Sequence, residues 1–170
     1  MSKLGITIED LFNLSTAVIY NPDVYKTSNY VSIDSRSIKK NSIYVAIKGE
    51  KLDGHNFVKD AVNKGANAVI INKNLLSDFD SVDKTIVTVE DTVKAYGELA
   101  TVRKNKLGAK IISITGSAGK TSTKEMIAEI LSEKYNVHKT SANNNNHIGV
   151  SLTILTAPEN TEVLVLEHGT

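Results

Sequence analysis

The sequence predicts an α/β protein in two parts: a small α/β N-terminal domain, then the start of a parallel-sheet domain built on a phosphate-binding loop. Three observations predict this. Short apolar runs rich in β-branched residues alternate with helical patterns. The apolar run Lys110–Thr115 passes through the small residues Gly116–Gly119 straight into a helical pattern. Between the two parts lies a basic stretch, Arg103-Lys104-Asn105-Lys106. The domain boundary is placed near Leu107–Ala109, giving domains 1–107 and 108–170.

Thr7 opens a short helix, with Asp10 three residues on as its capping partner, and Ile8, Leu11 and Leu14 share one face. Asn21-Pro22-Asp23 breaks the chain. Tyr30–Ile33 and Ser42–Ile47 read as strands flanking the loop Asp34-Ser35-Arg36. A polar turn covers Lys48 to Gly54. Phe57–Lys64 reads as a helix with Phe57, Ala61 and Val62 inward, stopped by Gly65. Ala66–Ile71 and Thr85–Val89 are apolar strands, and Asp91 caps a helix from Thr92 to about Lys106, closed by Gly108. Beyond the boundary, Lys110–Thr115 is a strand and Lys120–Lys134 a helix with Ile127, Ile130 and Leu131 on one stripe. Val137–Lys139 is a short strand, Ser141–Asn146 a polar run, and Glu162–Leu166 a final strand. Strand, helix, strand spacing implies parallel pairing. A parallel sheet hides its strands behind helices on both faces. The few elements after Lys110 leave apolar surface uncovered, so a piece of a longer protein is expected.

Composition excludes some functions. The 170 residues carry 20 Lys+Arg against 19 Asp+Glu, a formal net charge of +1. That is no broad lure for nucleic acid or anionic membrane, so a small anionic ligand must be caught locally. There is no cysteine, hence no disulfide framework and no Cys-based metal site. His138, His147 and His168 have no metal-ligand spacing. Neither a secretory leader nor a membrane span is visible, and the expected location is cytoplasmic.

The most informative segment is Thr115-Gly116-Ser117-Ala118-Gly119-Lys120-Thr121-Ser122. Small residues let backbone N–H groups converge on phosphate oxygens. The helix starting there points its free amides and positive dipole end at the same spot. Lys120 adds a point charge near the β- and γ-phosphates, and the Thr121 hydroxyl can ligate Mg²⁺. The standard phosphate-loop pattern has a glycine where this chain has Ile114, so the match is to a variant.

That variant, continued through Thr123-Lys124-Glu125, resembles the ATP loop of the Mur ligase family, in which Thr-Gly replaces the distant glycine. Other segments agree in the family's order. Asp34-Ser35-Arg36 resembles its uridine-nucleotide loop. Tyr44 to Gly49, then Asp53-Gly54-His55-Asn56-Phe57, resembles its N-terminal signature. Thr140–Thr153 resembles its asparagine-rich stretch, with Ala142 where Gly is usual, Asn144 for Leu, His147 for an acid and Ser151 for Pro. Val163–Gly169 resembles the strand that ends in a metal-ligating Glu, with His168 where Met or Leu is typical.

The resemblance covers about residues 5–170 and implies an ATP-dependent amide ligase of peptidoglycan synthesis, working through an acyl phosphate with ATP and Mg²⁺. Thr123-Lys124-Glu125 and Asn143–Asn146 favour the member that adds D-alanyl-D-alanine to a UDP-N-acetylmuramoyl-peptide, acting as a monomer at full length. The alternatives are a sibling adding a single amino acid and an unrelated phosphate-loop NTPase. By resemblance Lys120 is catalytic, Thr115–Ser122 bind ATP, and Thr121 and Glu167 hold the metal. Asp34, Ser35, Arg36, Lys48, Gly49, Asp53, Gly54, His55, Asn143, Asn145 and Asn146 face the UDP substrate. On physical grounds alone, Asp34–Arg36 and Asp53-Gly54 also read as ordinary turns, and the asparagines as a solvated loop. The 170 residues by themselves are expected to be inactive, lacking a site for the dipeptide.

Overall fold

The computed structural model describes residues 4–141 and 144–169. They form two compact units dividing between Leu99 and Ala100. The cut falls inside one helix, Thr92–Leu107, whose end is where the domain boundary was expected.

In the first unit, helix α1 (Ile8–Phe12) starts with a full capping box between Thr7 and Asp10. Five strands follow: β1 (Val18–Tyr20), β2 (Val31–Ser32), β3 (Ser42–Val45), β4 (Ala66–Asn72) and β5 (Thr85–Val89). Their order is β1-β5-β4-β3-β2, parallel except for antiparallel β1 against β5. Helix α2 (Val58–Asn63) packs on β4, with Val58 and Ala61 fully buried. The core joins Tyr44, Val69, Ile71, Phe79 and Ile86 to these two residues. Phe57 was expected to face inward, but it is the residue before the helix and stays 37% exposed. Helix α3 (Thr92–Leu107) begins where Asp91 accepts the N–H groups of Val93 and Lys94, at 2.8 and 3.0 Å. It ends at Gly108, whose φ of +69° suits the left-handed turn after a helix.

The second unit is a three-stranded parallel sheet, β6 (Lys110–Ile114), β7 (Val137–Lys139) and β8 (Val163–Glu167), ordered β6-β8-β7. Helix α4 (Lys120–Ser132) lies against it, with Ala128, Ile127 and Leu131 on the core around Val163 and Val165. Ile130 departs from the expected stripe and is 69% exposed. The buried line runs through Lys124, Ala128, Ile127 and Leu131, and at 3.6 residues per turn Ile130 lies about 110° from its centre. Helix α5 (His147–Thr156), not anticipated, starts with Asn146 as N-cap. Arg103 is buried and donates to the Ala157 carbonyl (3.0 Å), tying the end of α3 to the end of α5. Among the described residues, no helix is long and apolar enough to cross a membrane.

Candidate functional site

In the second unit the phosphate loop connects β6 to α4. Gly116 (φ +149°) and Gly119 (φ +73°) take backbone conformations that side chains disfavour, which leaves the loop free to fold tightly ahead of the helix. Gly119 is the N-cap and has no side chain to satisfy the first amides. Among the described residues, no backbone N–H from Gly116 to Ser122 donates a hydrogen bond. Thr115, Ser117, Ala118 and Ser122 are exposed along the same stretch. Lys120 Nζ folds back and donates to the Gly116 carbonyl at 2.5 Å, so its ammonium sits over the loop.

The neighbouring strand supplies the opposite charge. Ile114 and Glu167 are paired across β6 and β8, and the His168 N–H donates to the Ile114 carbonyl (2.9 Å). Glu167 therefore stands at the carboxyl end of its strand, beside the start of the loop, where parallel sheets present their ligand-binding groups. Its backbone N–H donates to Thr140 Oγ1 (3.0 Å), which fixes the strand end. The carboxylate accepts from Thr121 Oγ1 (3.1 Å, on Oε2) and from Asn145 Nδ2 (3.2 Å, on Oε1). Lys124 Nζ lies 3.5 Å from the same Oε2 and 3.2 Å from Glu125 Oε1. Burial pushes the Glu167 carboxyl upward, but Asn145, Thr121 and Lys124 outweigh it and hold it below its ordinary value.

The donor set suits a hard cation. Thr121 Oγ1 and Glu167 Oε2 are adjacent oxygens on rigid elements. Among the described residues there is no cluster of three or more His, Cys, Asp or Glu that would cage an ion alone. Mg²⁺ typically takes one or two protein oxygens and completes its shell with phosphates and water. Thr121 and Glu167 fit that role.

The expected asparagines divide. Asn145 belongs to the Glu167 corner, and its carbonyl accepts the Gly169 N–H (2.7 Å). Asn146 spends its side-chain oxygen on the Gly149 N–H (2.8 Å) as the cap of α5. Asn143, with Ala142, lies outside the described residues.

In the first unit the remaining expected residues sit at the carboxyl ends of parallel strands. Asp34 caps a short 3-10 turn after β2, and Ser35 is buried beneath it. Arg36 folds back on Asp34 through Nε (2.9 Å) and Nη2 (2.7 Å), and its side chain is 85% exposed. That pairing holds the Asp34 carboxyl down to about 2. After β3, Lys48 and Asp53 bridge the turn, and the Gly49 N–H donates to the Leu52 carbonyl (2.9 Å). The Gly54 N–H donates to the Ile47 carbonyl (2.9 Å) while Tyr44 Oη donates to the Gly54 carbonyl (2.9 Å). His55 is buried. Its Nε2 accepts the Asn72 N–H (3.0 Å), which leaves Nδ1 as the protonated nitrogen donating to Asp53 (2.6 Å). Both ring nitrogens are thus committed inside the fold, and His55 braces the turn against β4. Lys48, Asp53 and His55 line a cleft of about 530 Å³ together with Asn72, Asn74 and Glu90. Asp34, Ser35 and Arg36 are not part of its wall. Asn72, Asn74 and Glu90 carry no motif in the sequence; the pairing of β4 with β5 sets Asn72 opposite Val89, next to Glu90, and the Asn72 N–H reaches His55 in the turn.

Comparison with known proteins adds a separate line of observation. Residues 27–104 match the family described as "Mur ligase family, catalytic domain", and residues 114–170 match "Mur ligase middle domain". The UDP-N-acetylmuramoyl-tripeptide--D-alanyl-D-alanine ligase of Bacillus subtilis is 38% identical over 164 residues, 96% of this chain and 35% of its own length. The Escherichia coli protein of the same name is 34% identical over 166 residues, again 35% of its length. A MurF crystal structure from Acinetobacter baumannii superposes with a TM-score of 0.83 at 29% identity, covering 98% of this chain and 36% of that one. MurF ligase from Thermotoga maritima in complex with ADP gives 0.72 at 33% identity, over 81% of this chain and 31% of that one. The chain thus spans about 35% of the length of the curated relatives it matches.

Proposed function

This chain belongs to the Mur ligase family, and we propose that it carries the acceptor-substrate and ATP-loop portions of an ATP-dependent amide ligase. The activity is the addition of D-alanyl-D-alanine to UDP-N-acetylmuramoyl-tripeptide, a cytoplasmic step of peptidoglycan synthesis that serves cell-wall biogenesis, cell shape and division. The names of the relatives, all D-alanyl-D-alanine-adding ligases, support this member over a sibling adding one amino acid. ATP would phosphorylate the tripeptide's terminal carboxylate, and the dipeptide amine would then attack the acyl phosphate and expel inorganic phosphate.

The chain's own part is positioning and charge neutralisation. Residues 1–107 would hold the UDP-linked acceptor. Arg36 would exchange Asp34 for diphosphate oxygens, since guanidinium matches them at two points. Within 108–170, the unsatisfied amides from Gly116 to Ser122 would receive the ATP phosphates. Lys120 would exchange the Gly116 carbonyl for a β- or γ-phosphate oxygen. Thr121 and Glu167 would hold Mg²⁺, which would supply positive charge against that developing on the phosphates.

The observation that carries this reading is the Thr121–Glu167 contact beside a loop of unpartnered amides. It is tested by ligand-dependent stability. MgATP at 100 times its Kd should stabilise the wild-type chain by about 2.7 kcal/mol. Lys120→Ala should lose most of that gain yet keep its stabilisation by UDP-N-acetylmuramoyl-tripeptide. A wild-type chain indifferent to MgATP, or a Lys120→Ala variant that responds in full, refutes the reading.

A further inference from the structure

Beside Thr121 and Glu167 lies a buried positive charge. Lys124 is 1% exposed, and its position on α4, three residues after Thr121, puts both side chains on the same side of the helix. Thr121 Oγ1 and Lys124 Nζ converge on one oxygen, Glu167 Oε2. An ammonium is removed from water at considerable cost unless carboxylates surround it. Lys124 has two, Glu167 inside and the half-exposed Glu125 outside, and Glu125 is also ion-paired to Lys139.

We propose that Lys124 is a placeholder for the divalent cation: it supplies the positive charge that Glu167 needs when no metal is present, and withdraws to Glu125 when one binds. The proposal rests on Thr121 and Glu167 being the metal ligands. The geometry makes the two cations alternatives. A metal bound by Thr121 Oγ1 and Glu167 Oε2 must approach the oxygen that Lys124 already faces, and like charges so close repel strongly in a buried setting. Glu125 gives the ammonium somewhere to go without leaving its burial site, because it already lies within ion-pair distance. Lys124 is thus a positioning residue that sets metal affinity, not a group that touches the phosphates.

The test is Mn²⁺ binding by electron paramagnetic resonance, together with melting of the same chains with and without Mn²⁺. Lys124→Met should bind Mn²⁺ at least about tenfold tighter, or about 1.4 kcal/mol. It should melt lower than wild type without metal and recover with it. Lys124→Arg should bind like wild type. Glu125→Gln removes the retreat and should bind Mn²⁺ several-fold more weakly; this exposed substitution decides the matter if Lys124→Met does not fold. Unchanged or weaker Mn²⁺ binding by Lys124→Met overturns the proposal, as does unchanged binding by Glu125→Gln. If Thr121→Val leaves Mn²⁺ affinity untouched, the metal-ligand assignment fails and the placeholder role falls with it. If Thr121→Val abolishes binding while the Lys124 and Glu125 variants leave it unchanged, only the placeholder role fails.

Discussion

Glu167→Gln removes one negative charge from the site and almost nothing else. The side chain is 3% exposed, and three donors converge on it: Thr121, Asn145 and Lys124. Glutamine keeps the volume but puts an NH₂ among those donors and leaves Lys124 with Glu125 as its remaining carboxylate. Breaking a buried ion pair by removing one partner costs about 3–5 kcal/mol. Glu125 retains part of the compensation, but its side chain is 48% exposed and solvent weakens the pairing. The expected loss is therefore at the low end, about 3 kcal/mol. Urea denaturation at pH 7, followed by circular dichroism and fitted for the transition of the second unit, measures it. The pH dependence has a definite sign. Burial raises the Glu167 carboxyl, but Asn145, Thr121 and Lys124 bring its folded value below the ordinary one. Its contribution is therefore complete above the unfolded value of about 4.3 and fades as the pH falls through the lower folded value. The gap between wild type and variant should be full at pH 7 and narrow in acid. A loss under about 1 kcal/mol at pH 7, outside the 3–5 range for buried pairs, would refute the idea that the charge holds this corner together. So would a gap that persists unchanged in strong acid.

Two further outcomes follow from the first unit, beside the Lys120→Ala result already given. A Cβ at Gly54 would lie 2.7 Å from the Ile47 carbonyl oxygen and 2.8 Å from its nitrogen, both backbone atoms. Gly54→Ala should therefore cost about 1–3 kcal/mol in denaturant melts, as overpacking does, and a neutral result would mean that the turn yields freely. The Asp34 carboxyl should titrate near pH 2 by NMR, held down by its hydrogen bonds from Arg36. In Arg36→Ala the midpoint should climb towards about 3.9, and no movement would show that Arg36 does not stay on Asp34 in solution.

The parts of the fold that were legible are those whose cause is local. Thr7 with Asp10, and Asp91 ahead of Thr92, announce helix starts because a side-chain oxygen two or three residues away satisfies a free amide. The run from β6 through Gly119 to Lys120 announces a strand, a tight turn and a helix start within a dozen residues. Where the cause is distant, the reading fell short. β1 has three residues and exists because β5 pairs with it. α5 is rich in β-branched residues and follows an asparagine run, so local preference argues against a helix. It holds through Asn146 at its start and through burial of Gly149, Ser151, Thr153, Ile154 and Leu155 on several sides.

The sequence by itself determined the α/β class, the strand, tight turn and helix start around Gly116–Thr121, and the likeness to the Mur ligase family, because these are written in neighbouring residues. Only the tertiary structure decided what the charges do. Thr121 and Glu167 are 46 positions apart and meet because β6 and β8 pair in register. Lys124, a surface-looking lysine in a polar helical turn, is buried against that carboxylate because α4 lies on the sheet. Burial and the pairing of strands distant in the chain are properties of the assembled sheet, and no local pattern records them.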